Sequence, residues 1–254
     1  MSEPAVFLIN LDGSDARLAQ ATAQLQGVPF ERVPAFDGRK LNPDTYPGCD
    51  SNRALHFMGR PIRGGEIGCY ESHLTAARRF LASGARFGLV LEDDFRFLPG
   101  AWPQITQLTD WAKTHPQDWD VINLGHNKHK IFSPVQQLVA EGHATTITRA
   151  HYFPMTTSAL LWSAAGARAF VERHDRIFAP VDNYLRHWQT RADRGLAVWP
   201  PIVSTIDAQS EIDAAGSRRS NKDRLVSYGL IKQRRLFIEK ALAFRHLIRF
   251  RLGI

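Results

Sequence analysis

Short apolar runs alternate along the chain with longer segments whose apolar residues recur every three or four positions. The short runs predict buried strands, and the longer segments predict helices that pack against them. Strands that alternate with helices favour a three-layer α/β sandwich. We expect strands at 6–11, 30–34, 87–91, 119–124, 158–162 and 197–203, and helices at 15–26, 70–82, 102–113, 164–172 and from 180 onward.

In two stretches the hydrophobic residues do not recur with a clear period. Residues 40–64 are rich in Pro, Gly, Asn and Arg, which is typical of an irregular excursion. Residues 126–150 are polar and match neither the helical nor the strand period. The sequence therefore predicts neither helices nor strands in these two places.

The C-terminal segment has the pattern of a basic amphipathic helix. Its apolar residues recur mostly at steps of three and four, and a largely basic set falls on another face. Such a helix suits the surface of an anionic membrane; alternatively, its apolar face packs on the domain or on a partner subunit. The apolar residues are Leu230, Phe237, Ala241, Phe244, Ile248 and Leu252, and the other face carries Lys232, Arg235, Glu239, His246 and Arg249.

Charge divides the chain into two parts. The formal net charge is +7, but residues 218–254 hold eleven basic side chains against two acidic ones, or +9. The preceding 217 residues are therefore close to neutral, at −2. We assign 1–217 to a globular domain and 218–254 to a basic tail that is a candidate for membrane association. Because the charge is confined to one terminal segment without a nucleic-acid-binding motif, we expect no nucleic-acid partner.

Composition and length are those of an ordinary globular protein. At 254 residues, the chain is long enough for one α/β domain with a large core. No apolar run approaches the roughly 20 residues of a membrane span, and the run at 6–9 is too short for a signal-peptide core. We therefore expect a cytoplasmic location. With Cys49 and Cys69 as the two cysteines, no disulfide framework is expected.

The most informative chemistry is at the end of the strand at 87–91, which runs directly into Glu92, Asp93 and Asp94. Three adjacent carboxylates repel one another and resist burial unless a cation lies among them. A divalent ion shared with substrate phosphates is the commonest such cation, and ligands of open α/β sheets bind at the carboxyl ends of strands. The alternative is a solvated turn that begins a helix, with Asp94 as its N-cap.

Five short motifs, in order along most of the chain, resemble those of glycosyltransferase family 25. This family includes lipooligosaccharide and lipopolysaccharide galactosyltransferases and collagen galactosyltransferases. Its most recognisable block is a Gly-Cys pair followed by Ser-His, and its acidic block is a variant of the Asp-x-Asp signature. The motifs are Ile9-Asn10-Leu11-Asp12 followed by Arg17, Ala35-Phe36-Asp37-Gly38, Gly65-Glu66-Ile67-Gly68-Cys69-Tyr70-Glu71-Ser72-His73, Val90-Leu91-Glu92-Asp93-Asp94 and Pro180-Val181-Asp182.

The resemblance implies a GT-A fold, a Rossmann-like sandwich that uses a divalent ion, typically Mn²⁺ and otherwise Mg²⁺. Such an ion neutralises the charge that builds on the diphosphate when a sugar leaves its nucleotide. In Glu-Asp-Asp motifs of this kind the last carboxylate is the usual direct ligand, so Asp94 is assigned to the metal. Glu92 assists it, and Glu92 and Asp93 are also candidates for binding the donor ribose and sugar.

By the same resemblance, four residues that follow the first two strands would bind the nucleotide-sugar donor. Asn10 and Asp12 would lie beside the base and the ribose. Arg17, one turn into the next helix, would reach the diphosphate, and Asp37 would hold a ribose hydroxyl. The alternatives are a plain surface arginine for Arg17 and a turn-forming aspartate for Asp37.

Ser72 and His73 are expected at the start of a helix, where the N-terminus attracts phosphate. His73 would contact the donor diphosphate; its alternative is a buried histidine bonded to a backbone carbonyl. Cys69 is expected to be a small core residue and not a nucleophile, because nothing near it is clearly placed to activate it.

An inverting transferase also needs a general base for the acceptor hydroxyl. Asp182, at the opening of a helix, is the first candidate, and its alternative is a helix cap. Glu211 and Asp213 are further candidates for the base. Many GT-A enzymes add a late histidine as a metal ligand. Here the only histidine after His187 is His246 in the basic tail, so that ligand is expected to be absent or replaced.

Together, these features predict an inverting, metal-dependent glycosyltransferase that moves galactose, or else glucose, from a UDP-sugar to a lipooligosaccharide or other surface-glycan acceptor. Residues 126–155 are expected on the acceptor side. The protein would lie in the cytoplasm, peripheral to the inner face of the membrane if its tail binds lipid. Two alternatives stay open: a degenerate, membrane-bound transferase-like scaffold, and a magnesium-dependent phosphotransfer or phosphatase domain.

Overall fold

The computed structural model describes residues 3–116, 119–126, 128–205 and 224–254. Ten strands and seven helices lie in these ranges. The strands are β1 Ala5–Asn10, β2 Phe30–Pro34, β3 Phe87–Glu92, β4 Phe95–Phe97, β5 Val121–Asn123, β6 Ser133–Ala140, β7 His143–Arg149, β8 Ala159–Ser163, β9 Gly195–Trp199 and β10 Val203–Thr205. The helices are α1 Asp15–Gln24, α2 Ser51–Met58, α3 Gly64–Ala82, α4 Ala101–Thr114, α5 Ala164–Glu172, α6 Val181–Ala192 and α7 Tyr228–Leu252.

Eight strands form one sheet in the order β2-β1-β3-β8-β5-β9-β7-β6, and β4 pairs with β10 separately. Successive side chains of β1 point to opposite faces of this sheet. Val6 and Leu8 pack in the core with α1 and α4, whereas Phe7 and Ile9 pack in the core with α3, α5 and α6. Helices therefore cover both faces, and the predicted Rossmann-like α/β sandwich is confirmed.

The edge of the sheet at the carboxyl ends of β1, β2 and β3 is a topological switch point. β1 lies between β2 and β3 and is parallel to both. The chain thus leaves β1 towards one neighbour and returns on its other side. Ile9 is opposite Glu92 in the register, and Asn10 is opposite Pro34. Open α/β sheets bind their ligands at such a point, and the acidic cluster begins there.

The stretch at 40–64 contains helix α2, which the sequence analysis missed. Asp50 caps this helix by accepting a hydrogen bond from the backbone N–H of Arg53 at 2.9 Å, and Gly59 ends it with a φ of 72°. Eight residues are too few for a 3.6-residue period to be evident among Pro, Gly and Asn neighbours.

The stretch at 126–150 contains the antiparallel hairpin of β6 and β7, which was also missed. Glu141 and Gly142 in its turn both have positive φ, at 51° and 78°, as a type I′ turn requires. β6 is an edge strand with mostly exposed side chains, so the alternation that marks a strand is weak. The predicted strand at 197–203 is likewise two strands, β9 and β10, in different sheets.

Helix α7 packs against α2 and α6. Arg235 Nη1 donates a hydrogen bond to the Phe57 carbonyl at 3.3 Å, and the side chains that α7 buries are Glu239 and Ala243. The apolar stripe predicted for this helix is on the opposite side and faces outward; Phe237 is 74% exposed. The helix is therefore held to the domain by a mixed polar and apolar face and not by the predicted apolar stripe.

The boundary at 217/218 and the candidates Glu211 and Asp213 lie outside the described residues. The first basic residues of the tail, 218–222, lie outside them too. Within the described ranges, no helix combines the length and the apolar character needed to cross a membrane.

Candidate active site

A pocket lies at the carboxyl ends of β1, β2 and β3. It collects side chains from the end of β1, from α1, from the loop after β2, from α3 and from the turn after β3. Eight of the nine predicted donor and metal residues line it: Asn10, Arg17, Asp37, Ser72, His73, Glu92, Asp93 and Asp94. We call this the donor pocket.

Asp93 is the fixed carboxylate of the acidic cluster. Asn10 Nδ2 donates to Asp93 Oδ2 at 2.7 Å, and Arg17 Nη2 lies 2.7 Å from Asp93 Oδ1. Arg32 Nε donates to Asn10 Oδ1 at 2.9 Å, which sets the orientation of the amide. Asp93 is only 6% exposed, so its charge is balanced by protein groups. Asn10 and Arg17 therefore hold the acidic turn in place as well as lining the pocket.

Glu92 is held from two sides through one oxygen. Thr157 Oγ1 donates to Glu92 Oε1 at 2.5 Å, and His73 Nε2 lies 2.9 Å from the same atom. Burial would raise the pKa of Glu92, but the hydrogen bonds from His73 and Thr157 bring it below its ordinary value. Within the described chain, no hydrogen bond reaches Oε2. Sequence reasoning missed Thr157, since it is 65 residues from Glu92 and belongs to none of the five motifs.

Asp94 is the carboxylate that lacks a full set of partners. Its Oδ1 is buried and has no hydrogen-bond donor among the described residues, and Arg17 Nη2 lies 3.5 Å from its Oδ2. Burial, together with the charge of Glu92, raises the pKa of Asp94 to about 6. The chain continues into β4 and not into a helix, so the alternative of Asp94 as a helix cap is wrong.

Glu92 and Asp94 can hold a hard divalent cation through their oxygens. A cation there would satisfy the buried Oδ1 and offset the repulsion that raises the pKa of Asp94, so these residues fit such an ion. Ligand atoms of Cys69, His73 and Glu92 also lie within 4.8 Å of one another. Burial and the nearby carboxylates raise the pKa of the Cys69 thiol well above its ordinary value, so it stays protonated and is a poor ligand.

The loop after β2 packs closely against helix α3, because glycines at the contact let the two backbones approach each other. A Cβ on Gly38 would overlap the carbonyl of Gly64, and a Cβ on Gly68 would overlap the carbonyl of Phe36. Ser72 Oγ accepts from the Phe36 N–H at 2.9 Å and donates to the Gly68 carbonyl at 2.6 Å. The second and third family motifs thus pack against each other, which brings Phe36 to the pocket.

The predicted position of Ser72 and His73 at the start of a helix is wrong. Helix α3 begins at Gly64, because Glu66 Oε2 accepts a hydrogen bond from the Arg63 N–H at 2.9 Å and closes the first turn. Ser72 and His73 are two turns further on and buried. His73 contacts the carboxylate of Glu92 and not a backbone carbonyl, so both residues position other groups of the pocket.

Asp37 and Phe36 form the outer wall of the pocket. Arg39 donates to both carboxylate oxygens of Asp37, at 2.9 and 2.8 Å, and these bonds lower the pKa of Asp37 to about 2. Phe36 is 42% exposed, which is unusual for a large aromatic residue and suits stacking on a planar ligand. Neither Phe36 nor Arg39 was assigned a role from the sequence, although Phe36 is part of the second motif.

Asp12 does not line the pocket, contrary to the prediction. Its side chain is 76% exposed and pairs with Arg32 at 2.6 Å. β1 has ended two residues earlier, so Asp12 lies in the turn that leads away from the sheet. His246 lies 3.9 Å from Asp193 and does not line the pocket either, as expected for the missing late histidine.

Asp182 lies in the first turn of α6, in a second cleft beside the donor pocket. Its Oδ1 accepts hydrogen bonds from the backbone and side chain of Asn183 at 2.6 and 3.0 Å, and Oδ2 has no hydrogen bond within the described chain. Burial raises the pKa of Asp182 above its ordinary value.

Comparison with known proteins agrees with this arrangement. The family model "Glycosyltransferase family 25 (LPS biosynthesis protein)" matches residues 3–185. A rat protein named "Probable inactive glycosyltransferase 25 family member 3" is 29% identical over 191 residues, which cover 71% of this chain and 32% of that protein. "Procollagen galactosyltransferase 1" of Danio rerio is 27% identical over 187 residues, which cover 71% of this chain and 30% of that protein. The chain thus spans about a third of the length of these relatives.

Among solved structures, a glycosyltransferase "involved in the glycosylation of the major capsid of PBCV-1" aligns with 84% of this chain and 98% of its own. Its sequence identity is 11% and the TM-score is 0.38. The family match carries the assignment, because residues 3–185 run from β1 through α3 and the acidic cluster to Asp182. On that evidence the chain belongs to glycosyltransferase family 25.

Proposed function

We propose that the chain is an inverting, metal-dependent glycosyltransferase that moves galactose from UDP-galactose to a lipooligosaccharide or other surface glycan. The observation that carries the proposal is the buried, unsatisfied Oδ1 of Asp94 beside Glu92, at the switch point of the sheet. A buried carboxylate oxygen without a hydrogen-bond donor favours the binding of a cation. A nucleotide diphosphate can bind the same divalent cation through its phosphate oxygens. Relatives named as procollagen galactosyltransferases favour galactose as the sugar.

Asp94 and Glu92 are the proposed ligands of Mn²⁺ or Mg²⁺, through the Asp94 oxygens and Glu92 Oε2. When bound, the ion would neutralise charge on the departing diphosphate. Asp93 keeps the turn rigid through Asn10 and Arg17, and Arg17 also limits the negative charge of the cluster. Rigid support of this kind matters because a ligand misplaced by a fraction of an ångström loses most of its effect.

Phe36 and Asp37 are the proposed contacts for the nucleoside. The exposed ring of Phe36 would stack on the uracil, and Asp37 would accept a hydrogen bond from a ribose hydroxyl. Arg39 holds the carboxylate of Asp37 in its ionised form. Ser72 and Gly68 act indirectly, since they fix the loop that carries Phe36.

Asp182 is the proposed general base. Its free Oδ2 would accept the proton of the acceptor hydroxyl while that oxygen attacks the anomeric carbon from the side opposite the leaving UDP. A raised pKa strengthens a carboxylate as a base. Support for its location comes from the cleft that Asp182 lines, since Glu66 of the same cleft is the chain neighbour of Gly65 in the donor pocket.

A non-catalytic role is the main alternative, because several relatives are named as inactive. The intact pair of Glu92 and Asp94 favours catalysis, since a scaffold has no need of a buried and unsatisfied carboxylate. Family membership disfavours the phosphatase alternative. The two remaining functions differ in turnover and not in nucleotide binding.

A donor screen tests this proposal. Nucleotide release is measured across UDP-, GDP- and CMP-sugars, with Mn²⁺ and with a chelator, for the wild type and for Asp94→Ala. We expect UDP release from UDP-galactose that needs Mn²⁺ and is lost in Asp94→Ala. Release that is unaffected by chelator and by the substitution would refute the metal assignment, and binding of UDP without any turnover would favour the scaffold.

The outer face of α7 supports a further part of the proposal, peripheral attachment to the inner face of the cytoplasmic membrane. The apolar stripe of this helix is solvent-exposed, with Phe237, Phe244 and Ile248 at its centre. Exposed basic residues flank it, including Lys240 and Arg245. An apolar stripe flanked by cations fits the interface of an anionic bilayer, where the ring and alkyl groups are buried and the cations meet lipid phosphates.

Co-sedimentation with vesicles that do or do not contain an anionic lipid tests this attachment. Phe237→Ser with Phe244→Ser should release the protein from anionic vesicles, while the UDP affinity stays unchanged because both residues point away from the domain. The buried Ala243 serves no such role, so Ala243→Gly is a control for disturbance of the helix. Equal vesicle binding by the double variant, or a dimer that dissociates on substitution, would show that the stripe has another occupant.

A further inference from the structure

A cleft of about 540 Å³ lies beside the donor pocket and is rich in basic side chains. Four parts of the chain form it: the stretch from the end of α2 to the first turn of α3, Met155 in the loop after β7, the start of α6, and the stretch from Arg224 into the first half of α7. Its charged lining residues are Arg60, Arg63, Glu66, Asp182, Arg186, Arg224, Lys232, Arg235 and Glu239. We call this the basic cleft.

The cleft has more cations than its own carboxylates can balance. Six basic and three acidic side chains line it. Arg60 forms a bidentate ion pair with Glu66: Nη1 donates to Oε2 at 2.9 Å and Nη2 donates to Oε1 at 2.6 Å. Among the described residues, no carboxylate is within ion-pair distance of the other five. These five are Arg63, Arg186, Arg224, Lys232 and Arg235.

Two of these cations are held in position by neutral groups. Arg186 Nε donates to the Phe153 carbonyl at 2.8 Å, and its Nη1 donates to the Tyr152 hydroxyl at 3.3 Å. The guanidinium of Arg224 lies 4.4 Å from the centre of the Tyr228 ring. Groups fixed in this way lose little conformational entropy when they bind an anion, and a guanidinium matches the oxygens of a phosphate or carboxylate.

The basic cleft adjoins the donor pocket across the first turn of α3. Gly65 lines the donor pocket, whereas the next residue, Glu66, lines the cleft. Asp182, the proposed base, also lines the cleft. A ligand in the cleft would therefore lie next to both the proposed base and the proposed donor.

We propose that the basic cleft binds an anionic group of the acceptor glycan, a phosphate or a carboxylate, within reach of the hydroxyl that Asp182 deprotonates. This inference rests on the proposed function in its use of Asp182 as the base. The basic side chains that line the cleft would bind the negative charge of the ligand, whichever sugar carries it. Helix α7 then has two roles, since Tyr228, Lys232 and Arg235 line the cleft while the opposite side carries the apolar stripe.

Amide-resolved NMR titration tests the inference without any turnover. Glucose 6-phosphate, glucuronate and glucose are titrated into the full chain with UDP and the diamagnetic ion Mg²⁺ present, so that the donor pocket is occupied, and again without them. We expect the two anionic sugars to shift the amides of Asn183, Tyr228 and Lys232, and glucose to leave them unchanged. The two anionic arms show which of phosphate and carboxylate is preferred.

Two charge-matched variants make the result specific to the cleft. Arg224→Gln with Lys232→Gln should weaken the binding of the preferred anionic sugar about tenfold, since it removes two cations of the cleft. Arg78→Gln with Arg168→Gln removes the same charge from exposed positions of α3 and α5 outside the cleft and should leave the affinity unchanged. Equal weakening in both variants, or equal shifts with glucose, would overturn the inference.

The titration separates a failure of this inference from a failure of the proposed function. If UDP fails to bind while the anionic sugar binds in the cleft, the donor assignment fails and the anion site stands. If UDP binds and supports turnover while the sugars cause no shift, the anion site fails and the donor assignment stands.

Discussion

The donor pocket and the basic cleft are neighbours built in opposite ways. In the donor pocket, Asp93 and Glu92 are held by protein donors, and one carboxylate, Asp94, keeps an unsatisfied oxygen. In the basic cleft, cations such as Arg224 and Lys232 have no carboxylate partner within the described chain. The first site is preorganised around the open carboxylate oxygens of Asp94 and Glu92, whereas the second presents several positive charges to an anion that enters it.

The contrast indicates how each ligand is recognised. A nucleotide diphosphate with its metal is the same in every catalytic cycle, so a rigid set of ligands can be built for it and supported from behind. A cleft lined by several arginine and lysine side chains can bind anionic groups that differ in shape. Asp182 lies where the two sites meet, and it is the residue on which the comparison depends.

The largest effect is therefore expected at Asp182. Asp182→Asn keeps the size of the side chain but cannot accept the acceptor proton, so kcat should fall about 10²–10⁴-fold. The affinity for UDP, measured by calorimetry, should not change, because the residue lies outside the donor pocket. Asp110→Asn on the exposed side of α4 is the matched control. An unchanged kcat would remove Asp182 from the mechanism.

The pH profile gives a second readout for the same residue. Burial raises the pKa of Asp182 above its ordinary value, and only the ionised carboxylate can accept a proton. The kcat/KM of the wild type should therefore rise as pH rises through this raised pKa and level off above it. In Asp182→Asn this limb should be absent from the residual activity; if the same limb persists, it belongs to another group.

The sequence predicted much of the donor pocket because its residues follow strand ends in short motifs. β1 and β3 are adjacent parallel strands, so Asn10 and the Glu92–Asp94 turn come together without knowledge of the rest of the fold. Asp12 was misplaced, because a shift of two residues beyond a strand end moves a side chain from the pocket to the solvent. Thr157 was missed, because its contact with Glu92 depends on the pairing of β3 with β8.

The basic cleft could not be predicted in the same way. Arg60, Arg186 and Lys232 come from three distant segments, and only the packing of α7 on α2 and α6 brings them together. The periodicity of α7 identified its apolar stripe but not which face meets the domain. That face is chosen by Glu239, Ala243 and Arg235, so a pattern based on hydrophobicity alone indicates the wrong side.

A smaller effect is expected where the two glycine-rich motifs pack together. Gly68→Ala places a Cβ against the Phe36 carbonyl and must shift the loop that carries Phe36 and Asp37. Overpacking of this kind costs about 1–3 kcal/mol of stability, and we expect the KM for the donor to rise more than kcat falls. Gly229→Ala is the control, since a Cβ there meets nothing within 4 Å. An unaltered KM would mean that this loop does not contact the donor.

A change that affects stability alone, a gain, is expected in the metal-free protein. The folded-state pKa of Asp94 is raised to about 6, so its ionised form costs stability, and this cost appears as pH rises from about 4 to 6. Asp94→Asn removes the charge and should raise the free energy of unfolding at pH 8 by up to about 3 kcal/mol. In the presence of a chelator, the difference should disappear near pH 4. A variant that is less stable at pH 8 would show that Asp94 is already well compensated.

The most direct test of the central claim is the affinity of Mn²⁺ for the protein in the presence of UDP, measured by calorimetry for the wild type, Asp94→Asn and the exposed control Asp110→Asn. The account predicts that the wild type and Asp110→Asn bind Mn²⁺ alike and that Asp94→Asn binds it at least about 100-fold more weakly, because a direct carboxylate ligand is lost. Equal Mn²⁺ affinity in all three proteins would contradict the assignment of Asp94, and with it the proposed metal-dependent donor site.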